Sequence, residues 1–131
     1  MTEYLNPAEL GDFSSSGLSS GTATETFVYA AGLALDPTTM QRRADAVSIA
    51  DETRICLDNI CKILDEVGLG LCDIVKTTCY LREESYRFEF IEAYKSAFGD
   101  GPYPARNSYV LGIASNCRVQ IEAVAVRPEA S

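Results

Sequence analysis

The segment from Thr26 to Leu35 restricts the possible folds of this chain more than any other stretch, because both of its alternating faces are apolar. One face carries Phe27, Tyr29, Ala31 and Leu33, and the other carries Val28, Ala30, Gly32 and Ala34. Side chains along a β-strand point alternately to the two faces of its sheet. The pattern therefore predicts a strand that is buried on both sides, within a structure of stacked layers.

Two amphipathic helices are predicted to cover one face of the sheet. The first begins after Ser48, where Asp51 occupies the N3 position of a capping box, and it ends at Gly68. The second spans Glu84 to Phe98. We expect its buried side to consist of Phe90, Ile91, Tyr94, Ala97 and Phe98. Two helices cover only one face of a sheet, so the other face requires a different partner.

Other stretches rich in β-branched and apolar residues predict the remaining strands. They are a short edge strand at Thr2–Leu5, a strand at Asp73–Leu81, and a terminal pair at Arg106–Gly112 and Cys117–Val126, joined by a turn. The Gly- and Ser-rich segment Gly11–Gly21 is either a plain surface loop or the lining of a ligand pocket.

This order of elements predicts one α+β domain that includes residues 1–131. We expect a mixed sheet of five to six strands with both helices packed on one face, and right-handed crossovers between the helix-linked strands. The uncovered face is still half apolar in the last strand, where Gln120 and Glu122 share it with Val124 and Val126. An exposed face of this kind is unusual in a monomer, so we expect copies of the chain to pack these faces together.

The composition limits the partners and the chemistry. Nineteen acidic and eleven basic residues give a net charge of −8, which opposes binding to nucleic acids and anionic membranes. No histidine is present, which excludes Ser-His-Asp and Cys-His catalysis and histidine-ligated metals, and we expect neither a metal nor a cofactor. Five scattered cysteines, no signal sequence and no membrane span predict reduced thiols in a cytoplasmic protein.

Two charged residues in the apolar terminal strands are the candidate catalytic residues. Arg106 offers a planar fork of donors that fits a carboxylate, and Glu122 can transfer protons or orient a water molecule. On neighbouring strands they would form a small active site with an anion anchor and an acid–base group. Each residue also has a structural alternative, Arg106 as an ion-paired interface residue and Glu122 as a solvated or cross-strand side chain.

Several motifs between about Thr26 and Arg127 together resemble one known family. They are Ala31-Gly32 with Asp36-Pro37, Leu57-Asp58-Asn59-Ile60, Asp73-Ile74-Val75-Lys76-Thr77-Thr78, Pro104-Ala105-Arg106 and Ile121-Glu122-Ala123-Val124-Ala125. This pattern resembles the Rid family, the YjgF-like reactive-intermediate deaminases. The resemblance implies a chorismate-mutase-like fold, assembled as a homotrimer whose sheets form a central barrel, with a pocket at each subunit interface.

The resemblance also implies an activity and roles for individual residues. Rid proteins typically hydrolyse enamines and imines, such as 2-aminoacrylate, to 2-keto acids and ammonia. By position, Arg106 would bind the substrate carboxylate, and Glu122 would serve the proton transfers and the attacking water. The other substrate-binding residues would be Leu18, Ala31, Gly32, Ile91 and Ser108.

This lining departs from the pattern of the well-studied branch of the family, and the departures make it more apolar. Leu18 replaces a loop tyrosine, Ala31 a serine, Ile91 a helix asparagine and Ser108 a cysteine. We therefore expect an imine or enamine deaminase whose substrates carry a bulkier or more apolar side chain. The alternative is a trimer that binds a small carboxylate through Arg106 without turnover, as a sensor or carrier. An endoribonuclease is disfavoured by the negative charge.

Overall fold

The chain folds into a mixed β-sheet with two α-helices packed on one of its faces, in a computed structural model that describes residues 1–129. The strands are β1 (Glu3–Leu5), β2 (Gly21–Ala23), β3 (Phe27–Leu33), β4 (Leu35–Asp36), β5 (Gln41–Arg42), β6 (Ile74–Leu81), β7 (Ala105–Val110) and β8 (Val119–Val126). The helices are α1 (Ile49–Asp65) and α2 (Arg87–Phe98). Strands β4 and β5 form a separate hairpin, and the other six form the sheet. The predicted α+β architecture is confirmed.

The order of strands in the sheet differs from the prediction for the C-terminal pair. The order is β1-β2-β3-β8-β6-β7, and every neighbouring pair is antiparallel except β6 and β7. The prediction that Arg106 and Glu122 lie on neighbouring strands is therefore wrong, because β6 separates β7 from β8. Helix α2 provides the long connection that a parallel pair requires, so β7 joins the outer edge of β6, and β8 fills the space between β3 and β6.

Helix α1 begins at the predicted capping box. The backbone N–H of Asp51 donates to Ser48 Oγ at 3.0 Å, and the backbone N–H of Ser48 donates to Asp51 Oδ2 at 3.2 Å. The helix lies very close to β3 because Gly32 has no side chain, and a Cβ at this position would overlap the carbonyl oxygen of Cys56. The cap fixes where α1 starts, and Gly32 fixes how closely it packs on the sheet.

Helix α2 is shorter than predicted, because Glu84–Tyr86 form a 3₁₀ turn before it. Its buried residues are Phe90, Ala93 and Tyr94, whereas Ala97, which we expected on the buried side, is exposed. The spacing of three and four residues makes Ala93 the small residue of the inner stripe. Within residues 1–129, neither helix combines the length and the apolar composition needed to cross a membrane.

The face of the sheet opposite the helices, here called the open sheet face, is not covered in the single chain. In β3, Phe27, Tyr29 and Ala31 are exposed on this face, whereas Val28 and Ala30 are buried under the helices. The predicted burial of β3 on both sides is therefore wrong for one chain, because both helices pack on the same face. The strand register places Tyr4, Thr22, Tyr29, Ala31, Thr78, Tyr80, Tyr109, Glu122 and Val124 on the open sheet face.

A carboxylate lies in the core between α1 and β8. Glu52 is fully buried, and its oxygens accept hydrogen bonds from the backbone N–H groups of Arg118 and Val119 and from Nε of Arg118. The Arg118 guanidinium also donates to the carbonyl oxygens of Ala46 and Val47. These bonds tie the first residues of β8 to α1 and to the segment that precedes it.

Candidate functional site

Arg106 lies on the edge strand β7, on the helix side of the sheet. Its register partner on β6 is Thr77, which is buried under α2. The guanidinium carbon of Arg106 is 4.9 Å from the ring centroid of Tyr94 and 5.8 Å from that of Phe90, which are cation–π distances. Arg106 is exposed and forms no salt bridge within residues 1–129. Its fork of donors is therefore available to an anion.

Aromatic rings on the inner side of α2 support this guanidinium. Phe90 and Tyr94 have ring centroids 5.7 Å apart, because residues four apart lie on the same side of a helix. The hydroxyl oxygens of Tyr94 and Thr77 are 2.7 Å apart, which fixes the ring that lies under Arg106. Burial raises the pKa of Tyr94, so its phenol is neutral at physiological pH. The rings attract the cation without neutralising it.

Glu122 lies on the open sheet face, in the middle of β8. Its register partners are Ala31 on β3 and Thr78 on β6, and its carboxylate is exposed. The hydroxyl of Tyr80 donates to Glu122 Oε1 at 3.0 Å. Glu122 lines a cavity of about 330 Å³, here called the Glu122 cavity, together with Lys76, Thr78 and Ala31. The carboxylate is thus positioned by one hydrogen bond at the wall of an open cavity.

A second cavity, of about 420 Å³, lies next to the first and is here called the Leu18 cavity. Its apolar walls include Leu10, Phe13, Leu18, Leu33 and Leu35. Three charged residues of its lining are ion-paired, since Lys62 Nζ lies 3.6 Å from Glu9 Oε2 and Arg43 forms a salt bridge with Asp45. Ala31 lines both cavities, so the two spaces meet at that residue.

Arg106 and Glu122 do not face each other within one chain. Thr77, the register partner of Arg106, and Thr78, the register partner of Glu122, are consecutive residues of β6. Consecutive residues of a strand point to opposite faces, so the two charged side chains lie on opposite sides of the sheet. Two strand spacings, about 10 Å, also separate their backbones. One chain therefore does not present both groups to one small ligand.

The other predicted substrate-binding residues divide between the same two sides. Ser108 lies on β7 as the partner of the buried Cys79, and Ile91 lies on α2, partly buried against the core. Leu18 and Ala31 border the cavities of the open side. Gly32 is buried beneath α1, and the contact with Cys56 gives it a packing role. Their roles in binding remain predictions.

Sequence reasoning missed Tyr80, which is the side chain that hydrogen-bonds Glu122. A tyrosine in a strand is ordinary, so its type alone gave no indication. The useful signal was alternation along β6, where Lys76, Thr78 and Tyr80 occupy one face while Thr77 and Cys79 occupy the buried face. Lys76, Thr78 and Tyr80 therefore lie on the open sheet face, next to Glu122 on the neighbouring strand.

The cysteines are all free thiols, and three of them are buried. Burial raises the pKa of Cys79 and of Cys117 to about 11 in each case, so both thiols are protonated at neutral pH. Within residues 1–129, no group of three or more His, Cys, Asp or Glu side chains is arranged to hold a metal ion.

Solved structures with the same fold identify the class of protein. The YjgF gene product of Escherichia coli is 27% identical to this chain, with a TM-score of 0.75 and coverage of 94% of each chain. TdcF of Escherichia coli, solved with bound serine, is also 27% identical, with a TM-score of 0.74 over 85% of this chain and 88% of TdcF. The fold is therefore that of the YjgF-type α+β proteins.

The sequence comparisons identify the family. A family model described as endoribonuclease L-PSP matches residues 10–127. A 2-iminobutanoate/2-iminopropanoate deaminase of Rattus norvegicus is 32% identical over 123 residues, which are 92% of this chain and 84% of the relative. The chain belongs to the Rid, or YjgF-like, family, and the resemblance seen in the sequence is confirmed.

Proposed function

We propose that this chain hydrolyses imines or enamines of small carboxylates to 2-keto acids and ammonia. The observation that carries the proposal is the pair of an exposed Arg106 without a salt bridge and a Glu122 carboxylate at the wall of a cavity. One group fits a substrate carboxylate, and the other fits a proton transfer. The name of the rat relative, an iminobutanoate and iminopropanoate deaminase, supports the same reaction class.

The reactive site is proposed to form between copies of the chain, as a homotrimer. One chain holds Arg106 and Glu122 on opposite faces of its sheet, whereas a second copy can bring the Arg106 on its free β7 edge to the open sheet face of the first. The open sheet face carries exposed aromatic side chains that such packing would bury, with Tyr4 70% exposed, Tyr109 50% and Tyr29 44%. Burial of these rings would stabilise the assembly.

The proposed reaction needs only an anchor, a base and a water molecule. Arg106 holds the substrate carboxylate by two charge-assisted hydrogen bonds. Glu122 takes a proton from the water whose oxygen attacks the imine carbon, and the resulting carboxylic acid gives that proton to the nitrogen, which forms a carbinolamine. Glu122 then takes the proton of the carbinolamine hydroxyl and passes it to the nitrogen as the C=O bond forms and the C–N bond breaks, which releases ammonia and the 2-keto acid. A free imine already hydrolyses in water, so orientation of the reactants beside one acid–base group supplies the acceleration.

The proposed substrates carry an apolar side chain larger than a methyl group. The Leu18 cavity meets the Glu122 cavity at Ala31, so a substrate bound near Glu122 can extend into it. Leu18, Leu33 and Leu35 give that space apolar walls. Burial of each additional methylene stabilises the complex by about 0.8 kcal/mol. We therefore infer a preference for imines derived from branched amino acids over the imine derived from alanine.

The second candidate is a trimer that binds a small carboxylate without turnover. It is favoured by Leu18 and Ala31, which stand where the well-studied branch of the family has a tyrosine and a serine, so that Ser20 is the hydroxyl-bearing side chain that both cavities share. Nuclease activity is not proposed, because the net charge of −8 opposes contact with an RNA backbone. A cytoplasmic location is part of the proposal and is supported by the five unpaired cysteines.

The test is a panel of imino acids generated in place by an amino-acid oxidase, with ammonia and keto-acid release followed over time. We expect the leucine-derived imine to be hydrolysed faster than the alanine-derived imine, each relative to its rate without protein, and Arg106→Ala to lose the acceleration. Binding of the stable analogue 4-methylpentanoate is measured in parallel. Binding that depends on Arg106 without any acceleration establishes the second candidate, and absence of both contradicts the two proposals.

A further inference from the structure

A tyrosine hydroxyl lies beside the proposed acid–base group. Tyr80 on β6 and Glu122 on β8 are both on the open sheet face, two residues apart in the register, and the hydroxyl donates to Glu122 Oε1 at 3.0 Å. We propose that Tyr80 is the positioning residue of Glu122, holding Oε1 so that Oε2 is directed to the water and the substrate. This inference rests on the proposed function of Glu122.

Tyr80 is itself restrained by a residue of β7, the edge strand that also carries Arg106. Its register partner on β7 is Tyr109, and the two rings are stacked with centroids 6.2 Å apart and an angle of 27° between their planes. Aromatic pairs at such centroid distances attract each other beyond the effect of their buried area. The ring of Tyr80 is thus held between Tyr109 and Glu122, across three adjacent strands.

The carboxylate needs such a partner, because its terminal torsion has no sharp rotamer preference. Within residues 1–129, Tyr80 is the side chain that hydrogen-bonds Glu122, whereas Lys76 and Thr78, which line the same cavity, form no hydrogen bond with it. A donor fixed on one oxygen sets the plane of the carboxylate and leaves the lone pairs of the other oxygen free to accept a proton. The hydroxyl of Tyr80 does not itself transfer a proton to or from the substrate.

The phenol is suited to donate and not to ionise. Burial, then the hydrogen bond to Glu122 and the charge of Glu122, raise the pKa of Tyr80, and Tyr109 on β7 and Cys79 on β6 raise it further. The neutral hydroxyl is therefore retained across the physiological pH range. The same contact also provides a readout, because loss of the Glu122 charge should lower the pKa of Tyr80 toward its ordinary value.

The kinetic test compares Tyr80→Phe with Tyr86→Phe on the leucine-derived imine. General acid–base catalysis contributes on the order of 10²–10⁴-fold, so loss of its positioning in Tyr80→Phe should lower kcat about tenfold while KM is unchanged. Tyr86→Phe removes a tyrosine hydroxyl from the 3₁₀ turn before α2, outside the linings of the Glu122 cavity and the Leu18 cavity, so its kcat should match the parent. Equal kcat values for Tyr80→Phe and the parent overturn the inference.

A second measurement does not depend on turnover. Ring-labelled tyrosine is titrated by NMR in the parent and in Glu122→Gln, and the Tyr80 signal is assigned by its absence from Tyr80→Phe. We expect the pKa of Tyr80 to fall in Glu122→Gln. An unchanged pKa of Tyr80 overturns the inference even when imines are hydrolysed. If the parent hydrolyses no imine but the pKa of Tyr80 is lower in Glu122→Gln than in the parent, the proposed function is contradicted and the contact between Tyr80 and Glu122 is confirmed.

Discussion

Arg118 binds Glu52 twice inside the core, through its backbone N–H to Oε2 at 2.6 Å and through its side-chain Nε to Oε1 at 2.8 Å. The same Oε2 accepts from the backbone N–H of Val119 at 2.9 Å. Antiparallel strands flank β8 on both sides, so these bonds orient the strand that carries Glu122. A residue of α1 therefore determines where the proposed acid–base group lies on the sheet.

Removal of this buried carboxylate should destabilise the protein strongly. In Glu52→Ala the Arg118 guanidinium and two backbone N–H groups lose their acceptor, and breaking a buried ion pair in this way costs about 3–5 kcal/mol. Denaturant unfolding monitored by circular dichroism measures the change. Glu92→Gln is the control, because its pair with Lys95 is exposed and 4.0 Å long, and should cost less than about 1 kcal/mol. Similar costs for the two variants would show that the buried bonds contribute little.

Substitutions at Arg106 and Glu122 should affect different kinetic constants. Arg106→Ala should lose roughly 2–5 kcal/mol of productive binding, measured as kcat/KM, and Arg106→Lys should recover only part because it lacks the planar fork. Glu122→Gln keeps the shape but accepts no proton, so it should lower kcat with little change in ligand affinity. Arg87, which is partly exposed and paired with Glu84 of the preceding 3₁₀ turn, supplies the control variant Arg87→Ala. Dissociation of the proposed trimer by Arg106→Ala, together with unchanged kinetics in Glu122→Gln, would make both residues structural.

The open sheet face should be the surface through which copies of the chain associate. Sedimentation at micromolar concentration should give a mass near three times the 14.2 kDa of one chain. Tyr29→Lys places a charge in the middle of that face, so it should dissociate the assembly because the charge would be desolvated. Phe88→Lys, at a 76% exposed position of α2, should leave the mass unchanged. A monomeric parent chain would remove the interfacial site from this account.

The buried thiols should weaken the fold at alkaline pH. Cys79 and Cys117 have a pKa of about 11 in the folded chain and 9.0 as the ordinary value, so both keep their protons in the folded state when the unfolded chain has released them. The contribution of the two protonated thiols to the free energy of unfolding is complete below pH 9 and is lost as the pH rises toward 11. Denaturant unfolding measured across this pH range should show the loss of stability. In Cys79→Ala the free energy of unfolding should fall less steeply with pH.

The sequence predicts the local elements of this fold well, because their signals are local. The capping box at Ser48 and Asp51 sets the start of α1, and alternation sets the buried face of β3. The pairing of β7 and β8 was wrong for a different reason. Strand partners are chosen by contacts between residues distant in sequence, and a turn between two strands does not require them to be neighbours.

The candidate site was predictable as a set of residues but not as an arrangement. Arg106 and Glu122 follow from charge within apolar strands and from family motifs, and both are accessible in the structure. Their placement on opposite faces depends on the position of β6 between them, which the sequence pattern does not contain. Tyr80 was missed for a related reason. Its interest depends on the hydrogen bond to Glu122 on the neighbouring strand, and a tyrosine in a strand does not by itself predict that bond.

Two consecutive residues of β3 face different surroundings: Ala31 lines the two cavities, and Gly32 packs against α1. A side chain at Gly32 would push α1 away from the sheet, whereas the side chain of Ala31 projects into open space shared by two cavities. The volume at position 31 can therefore change without disturbing the helix packing on the other face. If the proposed function holds, replacement of Ala31 by serine, valine or leucine should change ligand choice and leave the packing of α1 on the sheet as it is.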